Sequence, residues 1–212
     1  MILIDDHIQD YTPEQIAQWL DELPQWRREQ ALAFKHDAGR RQSLLAYRLL
    51  CQGLREEYGI TEPPTFVYGE HGKPHIIIKK NEKLKIKKSS SFTPRPSPPF
   101  FSLSHCREAV ACVIDNLPCG IDIESPDRRI TESLIQYAMN DDEQALIRQS
   151  DNPQRTFLRL WTQKEAVMKL TGTGIRDAMR DVLNDTPYHI ETQETSRWIM
   201  SVASDGLRPI DN

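Results

Sequence analysis

Asp122 and Glu124 lie two residues apart in Gly120-Ile121-Asp122-Ile123-Glu124. Forty residues later comes Trp161-Thr162-Gln163-Lys164-Glu165-Ala166-Val167-Met168-Lys169. Three carboxylates and an ammonium group are what a Mg²⁺-assisted phosphoryl or pyrophosphate reaction uses, because hard oxygens hold the cation and a fixed charge meets the phosphate. In a strand, side chains alternate faces, so Asp122 and Glu124 point one way and Ile121 and Ile123 the other. In a helix, Trp161, Glu165 and Lys169 fall at i, i+4 and i+8, close to one stripe. For these groups to act together, a strand and a helix must be brought side by side. Taken alone, each half is ordinary. The pentapeptide reads as an edge strand with a solvated face, and Glu165–Lys169 as a surface ion pair. Their joint occurrence, in this order, is far more specific.

The elements that must position these residues are written in local signals. Thr12-Pro13-Glu14-Gln15 starts a helix, with Thr as N-cap, Pro at N1 and Gln at N3 for a capping box. Ile16, Trp19, Leu20 and Leu23 give it an apolar face. A second helix is expected from Gln25 to Phe34. A third starts near Arg40 or Arg41, carries Leu44, Leu45, Leu49 and Leu54 inward, and ends at Tyr58-Gly59. Thr65–Tyr68 reads as a short strand, and Ala109–Ile114 as a buried one. Asn116-Leu117-Pro118 is a turn leading into the Asp122 strand. Thr131–Met139 is helical, and Asp141 or Asp142 caps a further helix through Ile147. Asn152-Pro153 opens the long helix of Glu165 and Lys169, with Phe157, Leu160 and Met168 as apolar contributors, and Thr171-Gly172-Thr173-Gly174 stops it. Strands around Tyr188–Glu191 and Trp198–Ala203 complete an α+β chain.

Residues 79–99 differ in kind. Six of the ten residues from Lys79 to Lys88 are lysine, and a Ser/Pro-rich stretch follows through Pro99. Such a segment buries too little apolar surface to offset its ordering entropy, so it reads as a solvated insertion. The sharper alternative is a basic flap that attracts an acidic partner or a polyphosphate.

Composition sets limits. The 212 residues are 38% apolar and 27% charged, with net charge −4, which gives no reason to expect nucleic acid as the main partner. Cys51, Cys106, Cys112 and Cys119 show no metal or redox spacing and read as small hydrophobes in a reducing cytosol. No apolar run approaches the ~20 residues needed to span a bilayer, and Met1–Asp6 is too short and acidic for a signal peptide. A cytoplasmic location without membrane contact is expected.

Both motifs resemble the hallmarks of one family, the 4′-phosphopantetheinyl transferases of the surfactin-synthetase-activator (Sfp) type. Those hallmarks run hydrophobic-Gly-hydrophobic-Asp-hydrophobic-Glu and Trp/Phe-x-x-Lys-Glu-Ala/Ser-x-x-Lys, and each fixed position is filled here. Gly72-Lys73-Pro74 and Phe101-Ser102-Leu103-Ser104-His105 resemble further family segments, as does the run from Phe34 to Arg41. Residues 79–99 depart from the family, which usually joins these segments by a shorter connection.

The resemblance implies a pseudo-two-fold arrangement of two similar α/β subdomains, here 1–117 and 118–212, and a monomer. It implies transfer of 4′-phosphopantetheine from coenzyme A to a serine of an apo acyl or peptidyl carrier protein, with Mg²⁺, releasing 3′,5′-ADP. Asp122 and Glu124 are then Mg²⁺ ligands, and Glu165 is either the third ligand or the base that takes the serine proton. Lys169 neutralises phosphate charge, and Lys164 does so at a second oxygen. Trp161 packs either on the pantetheine arm or in the core. Arg41 (with Arg40 or Lys35 as the alternative), Ser104 and His105 are expected at the 3′-phosphate of coenzyme A, and Lys73 and Pro74 along its nucleotide. Two rival classes weaken on inspection. A Mg²⁺-dependent nuclease of the restriction type wants an acid-x-Lys pair on one strand, which neither Glu124-Ser125-Pro126 nor Glu165-Ala166-Val167 offers. A non-catalytic paralogue would be expected to lose a catalytic-type position, and every one is filled.

Overall fold

The computed structural model describes residues 1–77, 98–173 and 179–206; the basic, Pro-rich stretch expected at 79–99 lies almost wholly outside them. The N-terminal half runs β1 (Ile2–Asp5), α1 (Pro13–Asp21), α2 (Gln25–Leu32), α3 (Asp37–Tyr58), β2 (Thr65–Tyr68), β3 (Pro74–Ile77), β4 (Phe100–His105) and β5 (Val110–Asp115). The C-terminal half runs β6 (Cys119–Glu124), α4 (Glu132–Ala138), α5 (Asp141–Gln149), α6 (Pro153–Thr171), a 3₁₀ turn at Met179–Asp181, β7 (His189–Glu194) and β8 (Ile199–Ser204). The chain is α+β, as its patterning indicates.

Local chemistry fixes the helix ends. Thr12 caps α1 in a full capping box with Gln15, and Asn152 caps α6 ahead of Pro153. Gly59 and Gly172 close α3 and α6 in the left-handed conformation, at φ of 66° and 74°. Several boundaries differ from expectation. α3 begins at Asp37 rather than Arg40 or Arg41, with the acid in the first turn where the helix dipole favours it and Arg40 paired to it. α5 is capped by Asn140, not by Asp141 or Asp142, because Asn140 and Glu143 form a reciprocal capping box. α2 ends at Leu32, two residues short.

Two antiparallel three-stranded sheets carry the structure, in the orders β1-β5-β4 and β6-β8-β7. β2 and β3 form a separate hairpin. Helix α3 covers one face of the first sheet, burying Leu45, Leu49 and Leu50 against Phe101, Cys112 and Ile114. The opposite face of β5, with Ala109 before it, packs Ala111 and Val113 against Ile121, Ile123, Met200 and Val202, so the two sheets share a core. Helix α6 covers the second sheet. Between β4 and β6 the join is made by side chains: Ser102 and Ser104 hydroxyls accept the backbone N–H groups of Ile121 and Ile123 at 3.2 and 3.3 Å. Alternation along β4 thus gives Phe101 to the core and Ser102 and Ser104 to the neighbouring sheet.

Candidate active site

Strand β6 alternates as its sequence requires. Ile121 and Ile123 enter the shared core, while Gly120, Asp122 and Glu124 face α6. Gly120 lets the helix approach: a Cβ there would lie 2.0 Å from the Ala166 carbonyl oxygen and 2.5 Å from the Leu170 nitrogen. The α6 backbone therefore rests on β6, and the next outward residue, Asp122, meets the stripe carrying Glu165 and Lys169.

Asp122 is buried. Its Oδ1 accepts from Lys169 Nζ at 2.7 Å and from Ser104 Oγ at 2.9 Å, and Lys169 also donates to Ser104 Oγ at 2.9 Å. Its Oδ2 is buried with no hydrogen-bond partner among the described residues. Glu124 accepts, at Oε1, the indole N–H of Trp161 at 3.0 Å and the guanidinium of Arg128. Burial, then the charge of Asp122, pushes the Glu124 carboxyl up to about 7, against the opposing pull of Arg128. Glu165 is buried too, and its Oε1 has no partner among the described residues. Burial first and Asp122 second raise its pKa, with Lys169 and Arg128 opposing.

Glu124 and Glu165, both held back from ionising beside the Asp122 carboxylate, form with it a place for positive charge. Among the described residues no three carboxylate, imidazole or thiolate groups converge as they stand to close a metal site; Lys169 is paired with Asp122 and Arg128 with Glu124. The donor set nonetheless suits a hard divalent cation: among the described residues no donor meets buried Asp122 Oδ2 or Glu165 Oε1, and buried acceptors without partners are costly.

A cavity of about 320 Å³ opens beside this cluster. Lys73 of the β2–β3 turn, Pro74 of β3, Ser102 and Leu103 of β4, and Glu165 and Lys169 of α6 line it. Its size is that of a small-molecule cleft. His105 ends β4 near its charged end. Solvent reaches this imidazole, yet crowding by neighbouring atoms is the largest cause lowering its pKa, followed by the charge of Lys169.

The model of the 4′-phosphopantetheinyl transferase superfamily matches residues 118–205. This segment belongs to that superfamily. Curated relatives agree. The chain is 36% identical over 78 residues to the 4′-phosphopantetheinyl transferase psf-1 of Bacillus pumilus, covering 35% of this chain and 33% of that one. It is 26% identical over 153 residues to the 4′-phosphopantetheinyl transferase of Bacillus subtilis, covering 70% and 60%. To 4′-phosphopantetheinyl transferase AcpT of Escherichia coli O157:H7 it is 27% identical over 173 residues, covering 79% and 73%. The matches thus span a third to three quarters of the relatives' length.

The transferase-superfamily segment holds Asp122, Glu124, Glu165 and Lys169 together, whereas Arg41, Lys73, Pro74, Ser104 and His105 come from outside it. Lys164 corrects an expectation. It lies on the far side of α6, wholly buried, with Nζ donating to the Met179 and Arg180 carbonyls at 2.9 and 2.7 Å and paired with Glu143 at 2.8 Å. Three acceptors hold that ammonium, so it is a structural group and no phosphate contact. Lys73 lines the cavity, but its Nζ donates to the Leu170 carbonyl at 2.7 Å and to that of Cys119 at 3.4 Å, stapling the hairpin turn to α6 and β6. Arg41 does not line the cavity; its Nη1 donates to the Ile8 carbonyl at 3.1 Å. Trp161 is a buried residue that reaches the site through its N–H. Arg128 was not singled out from sequence; an acid and a base four residues apart across Pro126 carry no helical signal.

Proposed function

We propose that the protein transfers the 4′-phosphopantetheine group of coenzyme A to a serine of an apo acyl or peptidyl carrier protein, releasing 3′,5′-ADP. The observation that carries this reading is the meeting of Asp122, Glu124, Glu165 and Lys169 beside a cavity, inside a segment of the transferase superfamily. Asp122 and Glu124 would hold Mg²⁺. When bound, Mg²⁺ supplies positive charge to the diphosphate oxygens and eases departure of the leaving phosphate.

The chain's own residues do the rest. The serine oxygen bonds to the β-phosphorus of coenzyme A, and the bond from that phosphorus to the oxygen bridging to the α-phosphate breaks. The serine proton goes to Glu165, whose raised pKa and unpartnered Oε1 suit it to accept. Lys169 meets the charge on the transferring group as a mobile point charge, anchored by Asp122 and Ser104 between turnovers. The cavity takes the coenzyme: Pro74 and the Lys73 backbone lie along the nucleotide, with Ser104 and His105 toward the 3′-phosphate; Arg41 would reach that phosphate only by leaving the Ile8 carbonyl.

The same plan in both halves supports a pseudo-two-fold architecture with its division at 117/118. In each, a leading strand pairs antiparallel with the last strand of a terminal hairpin, and a long helix capped by a left-handed glycine covers the sheet. A monomer acting in the cytoplasm fits this reading, and among the described residues no helix is long and apolar enough to cross a membrane. Chromatography of the nucleotide product tests it. 3′,5′-ADP should appear only when coenzyme A, Mg²⁺ and an apo carrier are all present; release without a carrier, or none with any carrier, contradicts it.

A further inference from the structure

Glu124 is held by a cation that belongs to the chain. Arg128, in the loop after β6, directs Nη1 to Glu124 Oε1 and lays its guanidinium 4.4 Å from the centre of the Trp161 ring. Trp161 donates its N–H to that same oxygen at 3.0 Å and stacks on Phe157 at 5.8 Å, so the platform under the guanidinium is fixed by the core. Two N–H donors fill the two lone pairs that a carboxylate oxygen offers. A guanidinium keeps its charge at any pH the protein meets, so Arg128 cannot yield Glu124 by losing a proton. It can yield only by moving, and its side chain is 29% exposed, with space to turn toward solvent.

We infer that Arg128 is a built-in competitor for Glu124 and, once displaced, a grip for the substrate's diphosphate. This inference rests on the proposed role of Asp122 and Glu124 in holding a divalent cation. While Arg128 is paired, Glu124 Oε1 is closed to the cation and its charge is offset; the site admits both oxygens to the cation at the cost of breaking one charge-assisted hydrogen bond. The freed fork remains over the Trp161 face, where cation–π attraction favours it, and pairs with two diphosphate oxygens. The effect is to make cation and coenzyme bind together better than either alone, since each rewards the displacement that the other requires. Arg128 is a positioning residue for the cation and a binding residue for the coenzyme.

Calorimetric titration with Mg²⁺ alone, at pH 8.5, tests the inference on wild type, Arg128→Gln and Arg128→Lys. Removing a merely structural side chain loosens a site and weakens binding; removing a competitor strengthens it. Arg128→Gln should bind Mg²⁺ about tenfold more tightly, the effect of one charge-assisted contact, with Arg128→Lys between. At saturating Mg²⁺ the KM for coenzyme A should rise several-fold in Arg128→Gln and recover in part in Arg128→Lys. Unchanged or weaker Mg²⁺ binding in Arg128→Gln, with wild type binding normally, overturns the competitor role and leaves the metal site standing. No Mg²⁺ binding by wild type overturns the metal site itself, and the inference with it. Melting curves in EDTA verify that the variants fold. Should Arg128→Gln not fold, Arg128→Lys, which keeps the stem and charge but lacks the fork, must still show tighter Mg²⁺ binding than wild type.

Discussion

Gly120 sits so close to Ala166 that the strand carrying Asp122 and the helix carrying Glu165 touch backbone to backbone. Any side chain at residue 120 would drive them apart. Gly120→Ala is therefore expected to cost more than ~3 kcal/mol, beyond the usual range for overpacking, because the atoms it meets are backbone and cannot rotate away. Urea denaturation checks this. A loss below ~1 kcal/mol would show that the helix shifts freely and that the site does not depend on this contact.

Lys164 separates structure from binding. Lys164→Met leaves Glu143 without its cation and two carbonyls without a donor, and breaking such a buried pair costs about 3–5 kcal/mol. Under conditions where the variant is folded, its KM for coenzyme A should match wild type. A large rise in KM with unchanged stability would restore Lys164 to the binding site.

How much of this was legible in sequence follows from the range of each interaction. Caps at Thr12, Asn152, Gly59 and Gly172 are decided within one turn and read correctly. The alternation of Asp122 and Glu124 against Ile121 and Ile123 is likewise local. Lys164 misled because its neighbour in sequence, Glu165, belongs to the site; yet Phe157, Leu160 and Met168 share the Lys164 stripe, and that apolar company was the available signal. β1 pairs at long range, Ile2 against Val113, and its four residues give no periodicity to read; β3 and β4 pair with their hairpin neighbours β2 and β5, but each adjoins the Lys/Pro-rich stretch whose composition hides the strand signal. Arg128 reaches Glu124 through an irregular loop, for which periodicity offers no guide.

Stability should depend on pH through the acidic cluster. Glu124 is lifted from 4.5 to about 7 and Glu165 is lifted as well, so the folded chain binds more protons than the unfolded chain between these limits. Stability is then greatest at the acid end and falls as pH rises through about 7. Melting temperatures in EDTA should drop between pH 5 and pH 7.5, less so in Glu124→Gln, and Mg²⁺ should restore wild type at the higher pH. A wild-type profile that rises over this interval, or one that Mg²⁺ leaves untouched, contradicts a cluster of buried, mutually repelling carboxylates.

Glu165 has two roles that one substitution distinguishes. Glu165→Gln keeps the shape and removes the proton acceptor. If Glu165 is the base, turnover should fall by about 10²–10⁴-fold while Mg²⁺ binding is nearly retained. Loss of Mg²⁺ binding in calorimetry would make it a ligand instead.

The most direct measurement is the intact mass of apo carrier proteins after incubation with coenzyme A, Mg²⁺ and either wild type or Asp122→Ala. Wild type should add one phosphopantetheine group to at least one fatty-acid, polyketide or peptide carrier, and Asp122→Ala should add none while remaining folded. No gain on any carrier with wild type, or an equal gain with the variant, would contradict a transferase built on the carboxylates of β6 and α6.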